Sequence, residues 1–494
     1  MIKATKEFLE QNEALYERRK AEILNTKDCV KITGTAYYVA NDGDDNNDGK
    51  SENTAWKTIK RVNEAELLEG DGVFFKRGDL FRGGIEAVSG VTYAAFGSGD
   101  KPKIYSGPQN LADKELWELY DKEHNIWKLK IMLRDVGVLV FNDGEAHTRK
   151  MIPTFKEGNF VLRDNPDVIF DMARDMTNDL DLYWLYKGEF SDDGIEPTII
   201  LYTPETLGEV YLRCDKGNPA EVYSSIEASL RINGIRVSGK SDVTVDNLCI
   251  KHVGAHGVGA GGFTKGLTVT NCEFGWIGGS IQYYHADRNN PKVLGRIVRY
   301  GNAVEIYGGC KDYTVSNNYI YEVYDAGLTY QFGSTKKVMM EDILFSDNIV
   351  EKCVYAIEYW LGQACEDKGK IKNCLFKNNI LRLTGYGWGK QRYNPETPAA
   401  MKTFSAQNAS ENYVVKDNIF DRGTQNFFHI AAEKIEDCPK MEGNTYIQHL
   451  NGPLGRYGSN KDTTPELHIF DMNAEETINN LFGDKTAKVY YIED

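Results

Sequence analysis

The sequence has no apolar run approaching the roughly 18 residues that a membrane-spanning helix needs. Its opening, MIKATKEFLEQNEALYERRKAEIL, lacks the apolar core of a secretory signal, so the chain reads as cytoplasmic. An excess of positive charge is also missing: 58 Lys and Arg stand against 73 Asp and Glu, a net charge of −15. Nucleic-acid binders need clustered cations to displace counterions, which excludes a phosphate backbone as the main partner. The nine cysteines include no CxxC pair, and an odd count fits reduced thiols rather than a disulfide framework. Cys249, Cys272, Cys353 and Cys374 fall in or beside β-like runs, where small buried thiols are common. The eight histidines form no HxH or HExxH cluster, so zinc has no support. The acidic run NDGDDNNDG (41–49) starts like a calcium loop at Asp44, Asn46, Asp48 and Gly49, but its twelfth position is Ala55 where a bidentate Glu is required. An Asx/Gly turn is the expectation there and no cofactor is called for, with calcium the one ion left open.

What the sequence has is repetition. With 494 residues and 41% apolar content it can bury a large core, and that length implies two to four domains unless a repeat makes one. After residue 236 come VTVDNLCI (243–250), LTVTNCEF (267–274), YTVSNNYI (313–320), ILFSDNIV (343–350), CLFKNNIL (374–381) and YVVKDNIF (413–420), with a decayed copy KMEGNTYI (440–447). Equivalent positions 247, 271, 317, 347, 378 and 417 are separated by 24, 46, 30, 31 and 39 residues. A unit in the twenties with variable insertions is the mark of a parallel β-solenoid. The repeated Asn or Asp is read as a turn residue that stacks into a ladder.

The rest of the chain divides around this array. Leu9, Tyr16 and Ile23 lie seven apart with Phe8 and Leu15 alongside, predicting a helix over 5–25 that covers an end of the fold. The expected organisation is a helical cap (1–35), the start of the β-helix (36–109), an accessory β-rich insertion (110–235), the repeats that carry the site (236–450) and a C-terminal tail or cap (451–494). Within 36–109, TAWKTIKRVNEAELLEG reads as a short helix closed by Gly70.

A second strand accompanies each phrase: HGVGAGG, NAVEIYG, AGLTYQF, YAIEYWL, AMKTFSA and NFFHIAA. Alternation points Val258, Val304, Leu328, Ile357, Met401 and Phe428 inward, and the next position outward. That outward column reads Gly259, Glu305, Thr329, Glu358, Lys402 and His429; two residues on, the same face reads Gly261, Tyr307, Gln331, Trp360, Phe404 and Ala431. Adjacent strands lie about 4.8 Å apart, so Glu305 and Glu358, separated by the Thr329 turn, have backbones on the order of 9–10 Å apart. Glycoside hydrolysis needs two carboxyl groups flanking the scissile bond, and this spacing leans to inversion. Asp325, entering the Thr329 strand, is a third candidate, since like charges at short range raise one pKa and keep an acid protonated. Tyr307, Trp360 and Phe404 offer flat faces to pyranose rings, and Gln331, Lys402 and His429 offer hydroxyl partners. Singly, each has a blander reading: a surface charge, an internal aromatic stack, or Lys402 paired with Glu358. Two glutamates in register beside an aromatic column favour the site. The insertions 280–301 and 385–399 flank this face and add Tyr284, His285, Asp287, Arg299, Trp388, Arg392 and Tyr393 as further candidates.

The stretch YYVANDGDDNNDGKSENTAWKTIKRVN…LLEGDGVFFKRGDLFRGGI, followed by GVTYAAFGSGDKPKI, resembles the opening of right-handed parallel β-helix proteins of the pectate-lyase-like superfamily. RYGNAVEIYG…NNYIYEVYDAGLTYQ looks like phrases of β-helix glycoside hydrolases. The resemblance spans 36–107 and 236–450. It implies an all-β, right-handed parallel β-helix acting on carbohydrate, with Glu305 and Asp325 as site residues; Glu358 rests on the column. Such proteins are often exported, whereas this sequence reads as cytoplasmic, which points to imported oligosaccharides. The expected activity is a glycoside hydrolase acting on an oligosaccharide or polysaccharide, with no membrane or nucleic-acid partner. A polysaccharide lyase using Lys402, Arg392 or Arg299 is the alternative, opposed by the acidic column that would repel a uronate. A non-catalytic glycan-binding solenoid is the third reading.

Overall fold

The structure is a computed structural model that describes residues 1–493 apart from 28, 187–205, 286–289, 291, 333–338, 362–370, 393–397, 404–409, 432–437, 458–466 and 469–472. The repeat unit is a triangular coil. One coil runs Cys310–Ser316, Tyr319–Val323 and Ala326–Phe332, and the next runs Met340–Ser346, Ile349–Glu351 and Tyr355–Leu361. Corresponding strands of successive coils pair in parallel, building three long sheets. Each repeated phrase is therefore two strands and the corner between them, so that a coil has three strands where the periodicity suggests two. The corner is made by the repeated Asn or Asp, which adopts left-handed backbone angles: Asn247, Asn271, Asn317, Asp347, Asn378 and Asp417 have φ between 53° and 61°. Asn and Asp tolerate that region at low cost, which is why they recur.

The stacking ladder lies one residue later than the sequence suggests. Asn318 and its successors Asn348, Asn379, Asn418 and Asn444 are buried. Asn318 Oδ1 accepts from the Cys272 N–H at 2.9 Å, and the side-chain oxygen of each later member accepts from the backbone and side-chain N–H groups of the preceding rung, for example Asn348 to Asn379 at 3.1 and 3.0 Å. The run ends on Asp484, which takes both donors of Asn444 at 3.3 and 3.2 Å. A carboxylate only accepts, so it terminates a ladder whose bonds all point one way.

The interior is one continuous apolar core. Val258, Val304, Leu328, Ile357, Met401 and Phe428 all point into it and are almost wholly inaccessible to solvent. Rings stack along its axis, Phe345 on Phe376 at 5.0 Å and Tyr330 on Tyr359 at 5.7 Å. Burial of this kind contributes about 25 cal/mol per Å² of apolar surface.

Helix α1 (Lys6–Asn25), capped by the Thr5 hydroxyl, does not cover an end of the coil as its stripe suggests. It lies along the side of one sheet, where Tyr16 and Ile23 pack on Tyr319, Ile349 and Ile380. Tyr16 donates to Glu351 at 2.9 Å and lies under the Arg382 guanidinium. Ahead of it, Ile2–Lys3 pairs with the C-terminal strand Lys488–Ile492. Helix α2 (Ile59–Asn63) is short and capped by Thr58. In the 110–235 region, Trp117–Asp121, Ile126–Leu129, Gly208–Arg213, Asp181–Tyr186 and Arg149–Lys150 form a separate sheet with its own core. Val136–Phe141 and Ile226–Leu230 instead join the solenoid, through Leu230 opposite Val253. In the acidic run 41–49, Asp44 and Asp48 make Asx turns, accepting from the Asn46 and Lys50 N–H groups at 2.9 and 3.0 Å, while Asp45 ties the run to the start of α2, accepting from the Lys57 and Thr58 N–H groups at 2.8 and 2.9 Å.

Candidate active site

Along one sheet, the strands Val258–Gly261, Val304–Tyr307, Ala326–Phe332, Tyr355–Leu361, Ala399–Lys402, Asn426–Ile430 and Pro453–Tyr457 follow one another in parallel. Gly259 is opposite Glu305, Val304 opposite Leu328, Thr329 opposite Glu358, Glu358 opposite Lys402, Lys402 opposite His429 and His429 opposite Arg456. Glu305, Thr329, Glu358, Lys402 and His429 thus share one face, with Arg456 continuing the column. Tyr307, Gln331 and Trp360 form the parallel row, and the Tyr307 and Trp360 rings lie 6.4 Å apart across Gln331.

This face is recessed, not solvated. Glu305 and Glu358 are each only 4% exposed, whereas Tyr307 is 41% exposed. Two donors hold Glu305 on one oxygen: Asn302 Nδ2 reaches Oε2 at 2.7 Å, and the Thr329 hydroxyl donates to the same atom. Asn302 is fixed because its own Oδ1 accepts from the Ala326 N–H at 2.8 Å and its backbone N–H donates to His256 Nδ1 at 3.1 Å. The turn that aims it needs glycine at 301, where φ is 132° and a Cβ would lie 2.1 Å from Gly278 Cα. With Oε2 occupied by two donors, a proton on this carboxyl belongs on Oε1. Burial pushes the Glu305 carboxyl up to about 7 from its ordinary 4.5, and the Asp325 charge adds to the rise against the pull of Thr329 and Asn302.

Glu358 is held differently. Gln331 Nε2 donates to its Oε1 at 2.6 Å, and Lys402 occupies the next rung. Lys402 Nζ donates to His429 Nδ1 at 2.8 Å. Burial, with the charges of Lys402 and Arg456 adding to it, drives His429 down to about 3, so the ring stays neutral. Asp325 is 8% exposed and pairs with Arg392, whose guanidinium lies 5.7 Å from the centre of the Tyr355 ring.

Other candidates fall elsewhere. Trp388 is 1% exposed; its indole N–H donates to the Glu322 carbonyl at 2.8 Å and its ring packs on Tyr324, so it pins a corner and does not line the groove. Arg299 is equally structural, donating to the Gly279 and Gly137 carbonyls at 2.6 and 3.1 Å. Trp388 and Arg299 are tied into the corner packing, which the sequence does not reveal. Asp287, Phe404 and Tyr393 lie outside the described residues, as do the side chains of Tyr284 and His285. Asn302 is the contributor that sequence reasoning missed, although an Asn three residues before Glu305 is a readable signal. Among the described residues, no group of three His, Cys, Asp or Glu side chains is placed to hold a metal ion.

A family model described as a right-handed β-helix region matches residues 233–389. No curated protein sequence matches the chain. Among solved structures, the chain is similar to XylC in complex with xylose, at 10% identity over 92% of this chain and 83% of that one, with a TM-score of 0.42. It is similar to a GH136 lacto-N-biosidase from Eubacterium ramulus at 14% identity, over 99% and 70% of the two chains, with a TM-score of 0.38. Pectate lyase Pel9A matches at 12% identity over 87% and 77%, with a TM-score of 0.35.

Proposed function

We propose that the chain is a glycoside hydrolase that cleaves oligosaccharides with the carboxyl pair Glu305 and Glu358. The observation that carries this reading is the contrast between the two acids. Glu305 is buried, held on one oxygen and poised to stay protonated near neutrality; Glu358, two strands along the same face, accepts from Gln331 and neighbours the Lys402 ammonium. In this reading Glu305 gives its Oε1 proton to the glycosidic oxygen as the bond to the anomeric carbon breaks, and the bonding pair leaves with that oxygen. Glu358 takes a proton from a water whose oxygen attacks the same carbon from the opposite side. Two strand spacings, about 9.6 Å between backbones, leave room for that water and support inversion. Tyr307 and Trp360 supply the ring-stacking surface.

The basic residues offered for β-elimination are engaged otherwise: Lys402 donates to His429, Arg392 pairs with Asp325 and Arg299 serves two carbonyls. The test is a panel of aryl glycosides and oligosaccharides with the wild-type protein, Glu305→Gln and Glu358→Gln. Hydrolysis is expected from the wild type, with the first-formed anomer inverted by proton NMR, and loss of at least 1000-fold is expected in both variants without loss of folding. Full activity in both variants would sink the assignment, as would an unsaturated product absorbing in the ultraviolet.

A further inference from the structure

The groove has a closed end. On the N-terminal side of Glu305 the same column continues through Gly259 to Arg236 and Glu86, since Arg236 pairs with both Gly259 and Glu86. Ile85–Glu86 is the last strand of this sheet. Helix α2 seals the edge beyond it: Asn63 Nδ2 donates to the Gly84 carbonyl at 2.9 Å, and Asn63 Oδ1 accepts from the Glu86 N–H at 3.0 Å. At this end lies a cavity of about 640 Å³, walled on one side by α2 and on the other by Trp184 and Arg134 of the accessory region. That volume lies within the range of small-ligand sites, about 300–1,000 Å³.

The cavity and the carboxyl pair are linked through a row of turn side chains. Asn233 and Tyr300 line the cavity. Asn233 Oδ1 accepts from the His256 N–H at 3.1 Å, and the His256 ring meets Tyr300 edge-on at 5.1 Å. His256 Nδ1 accepts from Asn302, which in turn holds Glu305. Gly259 sits between, and a side chain there would strike His256 and the Asn233 amide, so its absence keeps the intervening rung low.

The lining chemistry is that of hydroxyl recognition. Five cations (Lys60, Arg82, Arg134, Arg231 and Arg236) line it against the three acids Glu64, Glu86 and Asp135; Arg236 lies 3.7 Å from Glu86, Lys60 3.7 Å from Glu64 and Arg82 2.9 Å from Glu227, and Asp135 is tied to buried Lys150. Guanidinium and ammonium donors beside carboxylate and amide acceptors suit the hydroxyls of a sugar ring. Trp184, 5% exposed and held by its indole N–H on the Leu133 carbonyl at 3.0 Å, forms part of the wall and can report on what enters. Three strand spacings, about 14 Å, separate the Glu86 rung from Glu305, a length that a short run of pyranoses fills.

We propose that this cavity is a terminal subsite that receives the end of a glycan chain, so that cleavage at Glu305 proceeds from that end and releases a short product of fixed length. This rests on the hydrolase reading for the cleavage step, but the cavity's occupancy is testable without turnover. Protein labelled with 5-fluorotryptophan is titrated with xylose, galactose and lactose in turn, each to saturating millimolar concentration, and the Trp184 fluorine signal, assigned with Trp184→Phe, is followed. A saturable shift is expected from at least one of these sugars, weakened at least tenfold in Arg236→Ala, whose side chain is 56% exposed and free to be removed without unfolding the coil. In parallel, product lengths from the first cleaved glycan of the panel are followed from the earliest times; one short length is expected. A Trp184 signal unmoved by all three sugars, or products of random length from the start, overturns the terminal subsite even where hydrolysis is intact. A shifted Trp184 signal without turnover supports the cavity and instead defeats the hydrolase reading.

Discussion

Gln331 Nε2 donates to Glu358 Oε1 across 2.6 Å from the strand next to it. This bond orients the carboxylate on the groove face. A hydrogen bond to a charged group contributes about 1.5–3 kcal/mol, roughly 10- to 100-fold in rate where it acts only on the transition state. Gln331→Leu is expected to lower kcat by that factor with little change in melting temperature. Unchanged kcat in steady-state assays on the best panel substrate would remove Gln331 from the machinery.

The Glu305 carboxyl, raised to about 7 by burial, should set the alkaline limit of activity. Activity requires its protonated form, so kcat/KM is expected to fall tenfold per pH unit above about pH 7.

The same shift has a consequence for stability. The folded protein holds this proton more tightly than the unfolded chain, so between pH 4.5 and about 7 the native state binds more protons and stability declines as pH rises. The loss is complete above the folded value and amounts to about 3 kcal/mol. Glu305→Gln is therefore expected to be more stable than wild type at pH 8 and equal to it near pH 4, as read by denaturant titration at the two pH values. A variant destabilised equally at both would show that the carboxyl is not held neutral.

The column from Glu305 to His429 was legible because strand alternation is strict and the repeat supplies its own alignment; matching Val304, Leu328 and Ile357 as inward residues fixes every outward neighbour. The depth of that face was not legible, since burial of Glu305 and Glu358 depends on walls that carry no periodic signal. Nor was the Arg392–Asp325 pair, which joins residues 67 positions apart through an irregular loop. The third strand of each coil escaped notice for a different reason: a left-handed Asn at the corner leaves the apolar alternation looking continuous across it.

Arg392 faces Asp325, and the Asp325 charge is one of the causes that raise Glu305. Removing the carboxylate and removing its partner should move the alkaline limb in opposite directions. Asp325→Asn is expected to shift it to lower pH, and Arg392→Ala to higher pH, because loss of the guanidinium charge lets the carboxylate disfavour ionisation of Glu305 more strongly. The measurement is the kcat/KM profile from pH 5 to 9 for both variants. Limbs that stay together with wild type would mean that Asp325 acts on substrate position and not on the acid.

The two adjacent asparagines of CLFKNNIL have different physical roles, and substitution should separate them. Asn378 holds left-handed backbone at φ 56°, a conformation glycine adopts without strain, and it accepts from the Arg19 guanidinium through its backbone carbonyl, which glycine retains. Asn378→Gly is expected to cost no more than about 1 kcal/mol. Asn379 is buried and accepts from the Asn348 backbone and side chain, while its own amide donates to Asn418 at 2.9 Å and to the Phe345 carbonyl at 3.0 Å. Alanine there leaves several buried polar groups without partners, each costing about 1–3 kcal/mol, so Asn379→Ala should lose about 3–5 kcal/mol in urea unfolding. Equal losses at the two sites would mean that the corner conformation, and not the side-chain ladder, carries the stability of the coil.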